Sequence, residues 1–181
     1  MIKDIVARRY ARALIASIEA KENLDKIGEE LKVISSVFKG SKELQHFFFN
    51  PAIPFTKKET VLKEILKLYP FNPTLEKFIF LLLKNDWLKF IEVIYEQFIF
   101  YCDEYNNRVR VEITSAYELS DSEKKAIASK LSKYTGKDVI FKVAVDSGII
   151  GGIIAKIGSL VIDGSIINYL QVIKNNLVEE I

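Results

Sequence analysis

Sulfur and imidazole are scarce in this chain, which has one cysteine, one histidine and one methionine among 181 residues. A lone Cys102 excludes an intramolecular disulfide framework, and Cys102 with His46 is too small a set for a Cys/His zinc cluster. Any Ser/His or Cys/His nucleophilic pair would have to use His46, inside the aromatic run Gln45-His46-Phe47-Phe48-Phe49, where a partly packed or surface histidine is expected instead. Long apolar runs are also missing. Phe78 to Leu83 is among the longest at six residues, whereas a membrane span needs about twenty. The opening MIKDIVARRY lacks the basic stretch and apolar core of a secretory signal, so a soluble protein of a reducing compartment is expected.

An excess of one charge is lacking as well. The net charge is +2, with 16 basic and 15 acidic groups in residues 1–106 and 10 and 9 in 107–181. Neither half has the basic balance of a nucleic-acid domain, and the aromatics of the second half, Tyr117, Tyr134, Phe141 and Tyr169, are scattered. No period repeats and no segment is of low complexity.

What is present is apolar. Hydrophobic residues make up 49% of the chain, enough to exclude global disorder, and the length suits one medium domain or two small ones. Composition shifts near residue 106: all four prolines and eleven of twelve phenylalanines precede it, while six of eight glycines follow it. The spacing of apolar residues predicts helices near 3–20, 23–38, 41–48, 56–69, 73–84 and 86–105, as in Leu24, Ile27, Leu31, Ile34 and Phe38. Thr56 to Glu59 reads as a capping box, and Asn72-Pro73 as an N-cap followed by proline. Short connections imply a bundle.

Beyond residue 106 the period becomes two. Val109, Val111 and Ile113 alternate with Arg108, Arg110 and Glu112, as Val139, Phe141, Val143 and Val145 alternate with their neighbours. Ser120 to Glu123 is a second capping box, Gly158-Ser159 a hairpin turn, and Ile166, Leu170, Ile173 and Leu177 the stripe of a last helix. The fold class is therefore α+β: a six-helix bundle over 1–106, then a β-α-β-β-β-α domain over 107–181.

No constellation resembles an active site. Gly136-Lys137 leads into Asp138 rather than Ser or Thr, so it is no phosphate loop, and the glycines from Gly148 to Gly152 suit turns and bulges. Asp146 and Asp163 are the only acidic pair near such turns, and both occupy positions where aspartate accepts backbone N–H bonds rather than acting as an acid/base dyad. No carboxylate cluster has calcium- or magnesium-loop spacing. No cofactor or metal is expected.

Surface for partners remains. On a helical wheel Ile2, Val6, Ala7, Tyr10, Ala11, Ala13, Leu14 and Ile18 fill about 180°, more than the roughly 100° that one core contact uses. The run from Phe78 to Leu83 is apolar all round, and a groove between two such helices suits a partner's amphipathic helix, with Arg8, Arg9 and Arg12 available to neutralise acidic groups.

Four stretches taken together resemble a known family. Ala7-Arg8-Arg9-Tyr10-Ala11-Arg12-Ala13-Leu14, the loop Asn50-Pro51-Ala52-Ile53-Pro54-Phe55-Thr56-Lys57-Lys58, the run Val145 to Gly152 and the run Ile157 to Ser165 resemble, in order, the delta subunit of bacterial F-type ATP synthases. Its mitochondrial counterpart is the oligomycin-sensitivity-conferring protein. Arg9 stands where many members carry another residue such as proline.

The resemblance implies a non-catalytic stator subunit. It would tie the catalytic head of alpha and beta subunits to the b-type peripheral stalk, one copy per complex, so that proton-driven rotation is coupled to ATP synthesis. It also implies a peripheral location on the cytoplasmic face of the bacterial membrane. The N-terminal helix of an alpha subunit would sit against Ala7, Tyr10, Ala11 and Leu14 of the first helix and Leu75, Phe78, Ile79 and Leu82 of the fifth. The stalk would meet the C-terminal domain, with Ile166, Leu170, Ile173 and Leu177 as the expected contacts, and no nucleic acid is involved.

Overall fold

The computed structural model describes residues 2–18 and 23–179, with side chains for 3–18 and 23–175. The chain divides into two compact units, residues 1–102 and 103–181, so the dividing line falls a little ahead of residue 106.

The first unit is helical: α1 (Ile2–Ala16), α2 (Asn23–Gly40), α3 (Lys42–Phe49), α4 (Phe55–Lys67), α5 (Pro73–Lys84) and α6 (Ile91–Tyr105), which runs across the dividing line. The stripe Leu24, Ile27, Leu31, Ile34 and Phe38 is buried, as its spacing requires. Gly28 lets α2 and α6 approach closely, since a Cβ there would lie 3.3 Å from Ile99. At α3 the Ser41 hydroxyl accepts from the Leu44 amide (3.2 Å), and at α5 Asn72 Oδ1 accepts from Thr74 (2.8 Å) ahead of Pro73 at the helix start.

Several boundaries differ from expectation by a residue or two, α4 for instance ending at Lys67, and three departures have a local cause or limit. α1 ends at Ala16; Ser17 is a turn, and residues 19–20 lie outside the described residues. α4 begins at Phe55, because the extended ψ of Pro54 makes it the N-cap and its carbonyl accepts from Lys57 and Lys58. Thr56 therefore lies inside the first turn, and the expected capping box does not form. The segment expected as one helix over 86–105 is broken by Asp86 at φ +61° and a 3-10 turn, Leu88–Phe90, ahead of α6.

In the second unit, β1 (Arg108–Ser115), α7 (Asp121–Thr135), β2 (Asp138–Val145), β3 (Ile153–Ile157), β4 (Leu160–Asp163) and α8 (Ile166–Glu179) follow the expected order. The sheet runs β2-β1-β3-β4, with β1 and β2 parallel and the other pairs antiparallel. The parallel pair needs a crossover, which α7 supplies. Val111 and Ile113 are buried with Leu119, Leu131 and Ala155, while Arg110 and Glu112 lie on the exposed face, so the two-residue period placed both faces correctly. The Ser120 box is present: its amide donates to Glu123 Oε2 (2.8 Å) and its hydroxyl accepts from the Glu123 amide (3.3 Å).

A candidate partner-binding groove

Two stripes at one spacing build the groove. On α1 and the turn that ends it, Tyr10, Ala13, Leu14 and Ser17 stand at i, i+3, i+4 and i+7; on α5, Thr74, Lys77, Phe78 and Leu81 do the same. Together they line a trough of about 540 Å³, with Arg9 at its edge. The Tyr10 and Phe78 rings meet edge-on across the floor, their centroids 6.3 Å apart at 63°. Ala13 and Ser17 keep the α1 wall low, and the Ser17 hydroxyl is satisfied by donating to the Leu14 carbonyl (2.7 Å). Leu81 is 46% exposed, so α5 is not covered on this side, and the all-round apolar run ends here in open surface.

The expected groove residues separate into two sets. Tyr10, Leu14 and Phe78 line the trough. Ala7, Ala11, Leu75, Ile79 and Leu82 face inward and are fully buried in the core of the first unit, so they support the walls rather than meet an occupant in this structure. The wide apolar arc of α1 thus has two halves, one for the core and a flank for the trough. Ser17, Thr74 and Lys77 line it too without an expectation from the sequence, while Arg9, Ala13 and Leu81 stood there only as a charge, as part of the apolar arc and as part of the apolar run. Their signal was the second stripe, shifted one step from the core stripe.

The three arginines also separate. Arg8 Nε donates to the Asp4 carbonyl (3.3 Å), and the Arg12 guanidinium lies over the Tyr101 ring at 5.3 Å. Of the three, Arg9 lines the trough, as does Lys77 of α5.

A second apolar surface lies in the other unit. On α8, Ile166, Leu170 and Ile173 are each about half exposed along one stripe; the side chain of Leu177 lies outside the described residues. The start of this helix is fixed to the preceding turns. The Ile166 amide donates to the Gly151 carbonyl (3.0 Å), and Gly152 adopts φ +81° with its Cα hydrogen toward the Gly164 carbonyl; a Cβ there would lie 2.1 Å from that oxygen.

The remaining candidates have local roles. Asp146 Oδ1 accepts from Gly148 (2.8 Å) and Asp163 Oδ1 from Ser165 (2.9 Å), so both aspartates serve turns. The hydrogen bonds from Ser165 hold the Asp163 carboxyl below its ordinary pKa. Cys102 is buried in the core, and His46 lies on the surface beside Lys42 and Pro51. Among the described residues no group of three or more His, Cys, Asp or Glu is placed to hold a metal ion.

Comparison with known proteins gives a consistent result. The sequence profile of the ATP synthase delta (OSCP) subunit family matches residues 6–177. ATP synthase subunit delta of Trichlorobacter lovleyi is 34% identical over 92% of both chains, and that of Chlorobium phaeobacteroides 37% over 99% of both. A chain in the cryo-EM structure of the Toxoplasma gondii mitochondrial ATP synthase hexamer shares the fold, with a TM-score of 0.65 at 21% identity over 95% of this chain and 97% of that one.

Proposed function

We propose a stator role for this chain, which belongs to the ATP synthase delta (OSCP) subunit family. Membership makes it a non-catalytic subunit of the F-type ATP synthase. Its work is mechanical: to join the catalytic head of alpha and beta subunits to the b-type peripheral stalk, so that proton-driven rotation turns the rotor and not the head. One copy per complex suffices.

The observation that carries this reading is the trough between α1 and α5. Two facing stripes at helical spacing, with an apolar floor and low walls, suit the apolar face of one amphipathic helix. The N-terminal helix of an alpha subunit is the proposed occupant, seated on Tyr10, Ala13, Leu14, Phe78 and Leu81. Burying such a face contributes roughly 25 cal/mol per Å², from which the costs of association are subtracted. The first unit, residues 1–106 in the sequence reading, then holds the head.

The second unit takes the stalk, with the exposed stripe Ile166, Leu170, Ile173 and Leu177 of α8 as its proposed contact. Among the described residues no helix is long and apolar enough to cross a membrane. The proposed place of the chain, at the cytoplasmic face of the bacterial membrane, follows from its place in the complex. A calorimetric titration of the full chain with a peptide copying the alpha-subunit N-terminal helix tests the groove. Saturable binding, lost in Leu81→Asp with the fold intact, is expected; no binding by a folded protein overturns the assignment.

A further inference from the structure

We infer that the α1–α5 trough selects a helix whose apolar stripe is edged by carboxylates on both sides, and that it discriminates against basic amphipathic helices. This rests on the groove being a helix-binding site, and goes beyond it by specifying the charge of the occupant.

The inference starts from where the cations stand. Arg9 belongs to the α1 wall and Lys77 to the α5 wall, so each wall of the trough carries one positive group. Among the described residues, no acidic residue lines it. Both side chains are exposed, and among the described residues neither forms an ion pair. The neighbouring arginines are occupied elsewhere: Arg8 at the Asp4 carbonyl, Arg12 over the Tyr101 ring. Arg9 is therefore the member of the cluster available to an occupant.

The floor between the cations is apolar, formed by Tyr10, Leu14, Phe78 and Leu81. Long basic side chains lay their methylenes along such a surface and keep the charge at its edge. An occupant that fills the floor brings its own flanking residues up to both charges while excluding water from between them. In that setting an opposite charge speeds encounter and fixes register, and a like charge is repelled. Because one cation stands on each wall, a carboxylate on a single edge satisfies only half of the site.

Three synthetic peptides with the same leucine and isoleucine stripe, edged on both sides by Glu, Gln or Lys, test this on the full chain by calorimetry. The expected order of affinity is Glu, then Gln, then Lys. Each charge contributes up to about fivefold, and the Glu-to-Lys ratio shrinks as salt rises from about 50 to about 500 mM. The double variant Arg9→Gln/Lys77→Gln should bind the three peptides within about twofold of one another, because the charges that rank them are gone while the apolar floor is intact.

Equal binding of all three peptides by the natural chain overturns the charge reading and leaves the groove standing. A double variant that keeps the Glu preference overturns it too, by placing the selectivity elsewhere. Failure of a folded chain to bind any of the three removes the groove and the inference together. Self-association of the chain, or capture on anionic vesicles that outcompetes the Glu-edged peptide, contradicts the proposed occupant.

Discussion

Tyr10 of α1 and Phe78 of α5 meet edge-on at 6.3 Å, and this pair forms the floor of the trough while belonging to the packing of the first unit. Phe78 is buried and Tyr10 half-buried, so one ring anchors and the other faces the occupant. Phe78→Ala removes a core side chain and should cost about 3–5 kcal/mol in chemical denaturation. Tyr10→Ser should cost less, about 1–2 kcal/mol, since part of the ring is already solvated and its edge-on partner is all that is lost. Both should weaken binding of the alpha-subunit peptide, and Tyr10→Ser should do so in a protein that still melts cooperatively.

Neighbouring alanines on α1 make a sharper contrast. Ala11 is fully buried, whereas Ala13 is exposed at the trough. Ala11→Trp forces a large ring into packed space and should destabilise by about 3 kcal/mol or more, so any loss of binding reports unfolding. Ala13→Trp should change stability by no more than about 0.5 kcal/mol and still block the trough. Thermal melts beside peptide titration separate the two.

Two glycines at positive φ have different reasons. Gly158, at φ +58° in the β3–β4 hairpin, has nothing within 4 Å of a Cβ, so Gly158→Ala should cost about 1 kcal/mol, the left-handed penalty alone. Gly152→Ala places its Cβ 2.1 Å from the Gly164 carbonyl and must displace the turn from which α8 departs, at a cost of about 2 kcal/mol or more. Hydrogen exchange should accelerate at the start of α8 in Gly152→Ala and not in Gly158→Ala.

The α7 cap predicts an acid response. The hydroxyl and amide of Ser120 donate to the Glu123 carboxylate and hold its pKa below the ordinary 4.5. A carboxyl depressed on folding stabilises the protein at pH above its unfolded value, and that contribution is lost as pH falls through the folded value. Denaturation midpoints of the natural chain should therefore fall below about pH 4.5, more steeply than those of Glu123→Gln, which cannot ionise. Equal slopes in the two proteins contradict the cap's electrostatic role.

Much of the fold was legible because local rules and packing agreed. The stripe from Leu24 to Phe38, the alternation from Val109 to Ile113 and the Ser120 cap each specify one local structure, and each appears. The start of α4 was misread because Thr56 fits a cap as well as Pro54 does, and only Pro54 has extended backbone. The break before α6 rests on Asp86 at positive φ; aspartate is enriched there, but positive φ is uncommon for any residue except glycine, so Asp86 by itself did not mark a break. The groove was half legible. A helical period marks which residues are apolar, not which neighbour covers them, so Ala11 and Ala13 looked alike on the wheel. The α8 stripe was readable as apolar, but the period alone does not say that Ile166, Leu170 and Ile173 stay about half exposed.

Mechanical coupling is read out by ATP-driven proton pumping in membrane vesicles carrying the complex assembled with either the natural chain or Leu81→Asp. For a stator subunit, ATP hydrolysis persists in both while pumping collapses with Leu81→Asp, because the head then turns with the rotor. Full pumping by a complex that lacks this chain contradicts the stator role.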